Sequence, residues 1–94
     1  ITQEAVSGNQ AHMQKLILYT TDACHLCDEA EELLNQLKPA HRFDLQLVDI
    51  STSEELMNRY GNRIPVVQRV DNGSELGWPF DSTALLSWIF HKGA

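Results

Sequence analysis

The sequence predicts an α/β domain with the element order βαβαββα, a four-stranded mixed sheet with helices on both faces. Three observations lead there. Short apolar runs rich in β-formers alternate with stretches whose apolar residues recur at helical spacing. An Asn72-Gly73 pair separates two strand-like runs late in the chain. At 94 residues there is room for one domain, burying roughly two thirds of the surface its unfolded form exposes.

Residues 1–12 show neither apolar periodicity nor a signal peptide's apolar stretch, and His12-Met13 is what a cloning junction encodes. They are read as an expression-tag remnant or a disordered leader, with the folded domain spanning residues 13–94. Leu16-Ile17-Leu18-Tyr19 reads as a buried strand. Leu26, Ala30, Leu33, Leu34 and Leu37 follow at helical spacing. That helix starts near Cys24 and ends by Pro39, whose ring disfavours helical geometry at Lys38.

Phe43, Leu45 and Leu47 alternate with Asp44 and Gln46, and Val48-Asp49-Ile50 continues this second strand. Ser51 and Thr52, with Glu54 and Glu55 three residues on, signal a capping box. The short helix they open carries Leu56, Met57 and Tyr60, and Gly61 suits its C-terminal stop. Val66 to Val70 reads as the third strand. Asn72-Gly73 suits a two-residue hairpin turn, since both positions tolerate positive φ. Glu75-Leu76-Gly77 forms the fourth strand. Asp81 caps a last helix with Leu85, Leu86 and Ile89 as its apolar stripe and Trp88 at the edge. The first βαβ is expected to be a right-handed parallel unit.

Composition narrows the function. Seven Lys and Arg against thirteen Asp and Glu give a net charge of −6, which disfavours nucleic acid and anionic membrane surfaces. No run approaches the ~18 apolar residues of a membrane span. Both cysteines sit in Cys24-His25-Leu26-Cys27. A bridge closing so small a loop removes little entropy from the unfolded chain. It is a poor staple and a better candidate for a bond made and broken in use.

The spacing has a physical logic. A helix starting near Cys24 turns its unpaired N–H groups toward that sulfur, and with the helix dipole they favour thiolate over thiol. The Cys24 pKa is therefore expected below the ~8.5 of a free thiol. Cys24 is the expected nucleophile. Cys27, one turn on and nearer the core, is the expected resolving thiol. Asp22, Asp28 and Glu31 oppose a second anion, and His25, when charged, offsets them. A lone C-x-x-C is also half of a zinc site, but there is no second one, and His12, His41 and His91 lack ligand spacing.

Taken together, the stretch from Lys15 to Phe90 resembles the glutaredoxins, and more closely small bacterial glutaredoxin-like proteins of the thioredoxin-like superfamily. The resemblance is carried by Tyr19-Thr20-Thr21, Cys24-His25-Leu26-Cys27, Val48-Asp49-Ile50, Arg63-Ile64-Pro65-Val66 and Gly77-Trp78-Pro79-Phe80-Asp81, in that order and spacing. It implies a cis Ile64–Pro65 peptide lying against Cys24, with Arg63, Ile64, Trp78 and Asp81 around the substrate. It also places Trp78 beside the sulfurs. Ile64 would meet an extended substrate by strand addition.

Two departures stand out. Thr20, Thr21 and Asp22 replace the basic residue glutaredoxins carry before the motif, and Gly77-Trp78-Pro79-Phe80 replaces their Gly-Gly pair. Both predict weak glutathione binding; no bound cofactor is expected, and glutathione enters only as a co-substrate.

The function these readings predict is dithiol–disulfide exchange on protein or low-molecular-weight disulfides, in cell redox homeostasis. The reductant is expected to be glutathione or a thioredoxin-type reductase, the protein a cytoplasmic monomer. The alternatives are a non-catalytic binding module of the same fold, or a metal or iron–sulfur protein using Cys24.

Overall fold

The structure, a computed structural model, describes residues 14–90. The leader assigned to residues 1–12 lies outside the described residues. Strand β1 (Gln14–Thr20) leads to helix α1 (His25–Leu37), and β2 (Phe43–Asp49) to a 3-10 turn (Ile50–Thr52) and helix α2 (Glu54–Tyr60). Strands β3 (Val66–Arg69) and β4 (Glu75–Gly77) precede helix α3 (Ser82–Ile89). The strand order is β2-β1-β3-β4. β1 runs parallel to β2, while β1 with β3 and β3 with β4 are antiparallel. This is the expected mixed sheet.

Alternation along β1 divides the core in two. Leu16 and Leu18 point to one face, where Ala30 and Leu34 of α1 and Leu85 and Ile89 of α3 close over them with Val67 and Phe80. Ile17 and Tyr19 point to the other face, packed with Val66, Ile50 and Tyr60. Helices therefore cover both faces, as a two-sided apolar strand demands. Leu34 has no exposed surface, so its truncation to Ala costs about 2–5 kcal/mol.

Several local expectations are corrected. Lys38 keeps right-handed helical geometry although Pro39 follows, and its N–H reaches the Leu34 carbonyl at 3.1 Å. The cap of α2 is Ser53, whose Oγ accepts from the Leu56 N–H at 3.2 Å, because Asp49 has already claimed Ser51 in the 3-10 turn. Gly61 ends α2 at φ −52°, right-handed; a side chain there would press on the Met57 carbonyl oxygen at 2.5 Å. The reason for glycine is space, not a left-handed cap.

The third strand stops at Arg69, and Val70 is exposed. The hairpin is not a two-residue turn. The Arg69 N–H donates to the Ser74 carbonyl and the Gly73 N–H to the Arg69 carbonyl, both at 2.9 Å, leaving residues 70–73 as the connection. Gly73 alone in that connection takes positive φ, at 76°. Asp81 caps α3 as expected, its Oδ1 accepting from the Ala84 N–H at 2.8 Å.

Candidate active site

Register brings the functional segments to one end of the sheet. Thr20, at the C-terminal end of β1, pairs with Asp49 of β2, while Tyr19 pairs with Val66, the residue after Pro65. Val66 in turn pairs with Gly77, and the Trp78 N–H donates to the Pro65 carbonyl at 3.1 Å. The loop into Cys24, the Ile64–Pro65 segment and Trp78 thus all leave the sheet at the same end. Open α/β sheets place their sites at the C-terminal ends of parallel strands.

Cys24 and Cys27 are joined in a disulfide, with Cα atoms 5.2 Å apart. Cys24 is the N-cap of α1, extended at φ −105° and ψ 103°, and its Sγ accepts from the Cys27 N–H at 3.2 Å. An otherwise unpaired helix-start donor is thereby aimed at that sulfur. Cys24 is half-buried and Cys27 only 1% exposed, so an incoming molecule meets Cys24 first. The loop reaches this position through Ala23, at φ 59° in the left-handed region. That conformation costs a residue with a Cβ about 1–2 kcal/mol.

The other expected residues fall as follows. His25 is 86% exposed, and its Nε2 lies 3.1 Å from Glu29 Oε2, one turn along the helix. Pro65 is fully buried. The Ile64–Pro65 peptide is cis, and so is Trp78–Pro79. The Ile64 N–H is already donated to the Tyr60 carbonyl at 3.0 Å, while the Ile64 carbonyl accepts no hydrogen bond among the described residues.

Arg63 is held by Glu75, Nη2 to Oε1 at 2.8 Å. Trp78 is half-buried, edge-on to Phe80 with ring centroids 5.1 Å apart. Asp81 spends one oxygen on its cap. Among the described residues, no three His, Cys, Asp or Glu side chains gather as metal ligands, and no helix is long and apolar enough to cross a membrane.

Sequence reasoning missed a cluster behind Ile64. Tyr60 is wholly buried, stacks on Tyr19 with centroids 4.1 Å apart, and donates its hydroxyl to Glu75 Oε2 at 2.6 Å. Burial, then the bond to Glu75, pushes the Tyr60 pKa up to about 12. The Tyr60 hydroxyl, followed by Arg63, holds the Glu75 carboxyl below its ordinary value, against the opposing effect of burial. Tyr19 in turn donates to Gln68 Oε1 at 2.7 Å.

Comparison with known proteins agrees with this arrangement. The chain is similar to a protein from X. campestris, the structural-genomics target XcR50 solved by X-ray methods, at 41% identity and TM-score 0.70 over 83% of this chain and 99% of that one. It is also similar to Ne2328 from Nitrosomonas europaea, solved by solution NMR, at 30% identity and TM-score 0.73 over 83% of this chain and 93% of that one. No curated protein matches it. The glutaredoxin-like domain family (DUF836) matches residues 15–90, from the first strand through the last helix. With the bridged C-x-x-C at a helix start and the mixed sheet behind it, the chain belongs to that glutaredoxin-like family of the thioredoxin superfamily.

Proposed function

We propose that the protein is a dithiol–disulfide oxidoreductase whose working couple is Cys24–Cys27. One observation carries the reading: an accessible sulfur at a helix start is bridged to a buried one a single turn away. In the reduced protein the Cys24 thiolate attacks one sulfur of a substrate disulfide, forming a mixed disulfide and expelling the other substrate sulfur as a thiolate. The Cys27 thiolate then attacks Cys24 Sγ, displacing the second substrate thiolate and closing the Cys24–Cys27 bond. Two electrons pass from the dithiol to the substrate, and the two thiol protons end on the released thiols.

An external thiol reductant, glutathione or a thioredoxin-type reductase, resets the pair by the reverse exchange. The Cys27 N–H at Cys24 Sγ stabilises the sulfur as it gains charge. The Ile64 carbonyl would accept an N–H from an extended substrate, with Trp78 as an apolar wall beside it. Ile64 contributes one hydrogen bond and not two, because its N–H is occupied. His25, exposed beside Glu29, modulates charge near the motif when protonated. Substrates are protein or small disulfides, and the reducing cytoplasm is the compartment in which such a couple acts.

The test is steady-state reduction of insulin and of hydroxyethyl disulfide with a thiol reductant. Turnover lost in Cys24→Ser supports the reading, whereas wild-type rates no faster than reductant alone contradict it.

A further inference from the structure

Five contacts converge on the segment that precedes β3. The Tyr60 carbonyl accepts both the Arg63 N–H at 2.8 Å and the Ile64 N–H at 3.0 Å, so the backbone just before Pro65 is wrapped onto the end of α2. The Arg63 guanidinium lies over the Tyr60 ring, 5.3 Å from its centroid. Glu75, across the sheet edge on β4, takes the Tyr60 hydroxyl on one carboxylate oxygen at 2.6 Å and the Arg63 guanidinium on the other at 2.8 Å. Gln68 pairs with Glu75 in the β3–β4 ladder, which fixes where the carboxylate stands.

Glu75 therefore grips the Ile64 segment from two sides. Tyr60 is the residue whose carbonyl orients the Ile64 peptide, and Arg63 immediately precedes it. A carboxylate bonded through both oxygens to a buried hydroxyl and a guanidinium has little freedom to move. The half-exposed Arg63 would otherwise be a mobile side chain.

We infer that Glu75 is a positioning residue that sets the Ile64 carbonyl for extended, peptide-like disulfide substrates, an inference that rests on the disulfide-exchange function proposed above. Small disulfides reach Cys24 without a strand contact and do not need it. Glu75 touches neither cysteine in the bonding pattern and acts through Tyr60 and Arg63.

The test compares Glu75→Leu, which loses both contacts, with Glu75→Gln, which keeps an acceptor for Tyr60, on insulin and on hydroxyethyl disulfide. If Glu75→Leu does not fold, Tyr60→Phe, which removes only the hydroxyl, takes its place. The expected result for Glu75→Leu is a KM for insulin raised about five- to tenfold, the equivalent of one good hydrogen bond, with kcat nearly unchanged. Hydroxyethyl disulfide turnover and the Cys24–Cys27 reduction potential stay at wild-type values, and Glu75→Gln recovers part of the insulin KM.

Hydrogen exchange at the Ile64 amide supplies a readout that needs no activity: it is expected to accelerate at least about tenfold in Glu75→Leu, while Leu85 is unaffected. Equal losses on both substrates, or an unchanged insulin KM, would overturn the inference. So would an unchanged Ile64 exchange rate. Wild-type protein inactive on both substrates would instead defeat the exchange function itself, and this role of Glu75 with it.

Discussion

The Trp78 N–H donates a 3.1 Å hydrogen bond to the Pro65 carbonyl, joining the segment that leaves β4 to the segment that enters β3. The same register that pairs Val66 with Tyr19 and Gly77 brings both segments to the end of the sheet from which the Cys24 loop departs. Trp78 is thus the indole at the redox end. Trp88 is anchored elsewhere, its Nε1–H donating to Ser74 Oγ at 3.1 Å beyond the other end of β4. Oxidation of the cysteine pair should therefore change indole emission mainly through Trp78. Emission spectra of Trp78→Phe should lose most of the redox-linked change and those of Trp88→Phe should retain it; a signal following Trp88 would misplace Trp78.

Acid should loosen the Tyr60–Glu75–Arg63 cluster. Glu75 is held below its ordinary value of 4.5, first by the Tyr60 hydroxyl, so its folded pKa is the lower one. A depressed carboxyl contributes stability above its unfolded pKa, and that contribution disappears as pH falls through the folded value. Urea midpoints below pH 4.5 should therefore fall in wild type, and fall less in Glu75→Gln.

Tyr60 works in the opposite direction. Raised from 10.0 to about 12, it favours folding below pH 10 and loses that contribution as pH rises through about 12. Ultraviolet titration should find one tyrosine ionising near 12, and Glu75→Gln should lower that value by removing the anionic acceptor.

Arg69 offers a separate check on stability. It is only 4% exposed, bonds Asp71 through Nε at 3.1 Å and Nη2 at 2.7 Å, and caps the last turn of α3 through the Trp88 carbonyl at 2.7 Å. Arg69→Leu leaves that carbonyl and Asp71 to find water, with Asp71 half-exposed and able to do so. The expected loss is about 2 kcal/mol in urea unfolding. The exposed Arg59–Glu55 pair, at 3.6 Å, should contribute less than about 0.5 kcal/mol when Arg59 is replaced by Ala.

The sheet and the redox pair were legible because their signals are local. Leu16 to Tyr19 declares a strand with two apolar faces, and a C-x-x-C at the start of a helical repeat declares its own chemistry. The misread details are those where neighbours compete. Ser51, Thr52 and Ser53 all suit a cap, and the choice falls to Ser53 only because Asp49 engages Ser51 first. Asn72-Gly73 carries the dipeptide of a tight hairpin, yet Arg69 is buried and ends its strand early to reach Asp71 and Trp88.

The Glu75 grip could not be seen at all. Its partners lie 12 and 15 residues away, and they meet only once the β3–β4 register is set. Arg63 was expected to face the substrate, but nothing in the sequence announced that a carboxylate would take its guanidinium.

A single turnover reveals whether Cys24 attacks and Cys27 resolves. Fully reduced protein and its Cys27→Ser and Cys24→Ser variants are mixed anaerobically with insulin, quenched in acid, and mapped by mass spectrometry. Wild type should end with Cys24 bonded to Cys27 and one insulin disulfide reduced per protein molecule. Cys27→Ser should stop as a mixed disulfide on Cys24, and Cys24→Ser should form no adduct. Thiols left untouched in wild type, or an adduct through Cys27 in Cys24→Ser, would contradict it.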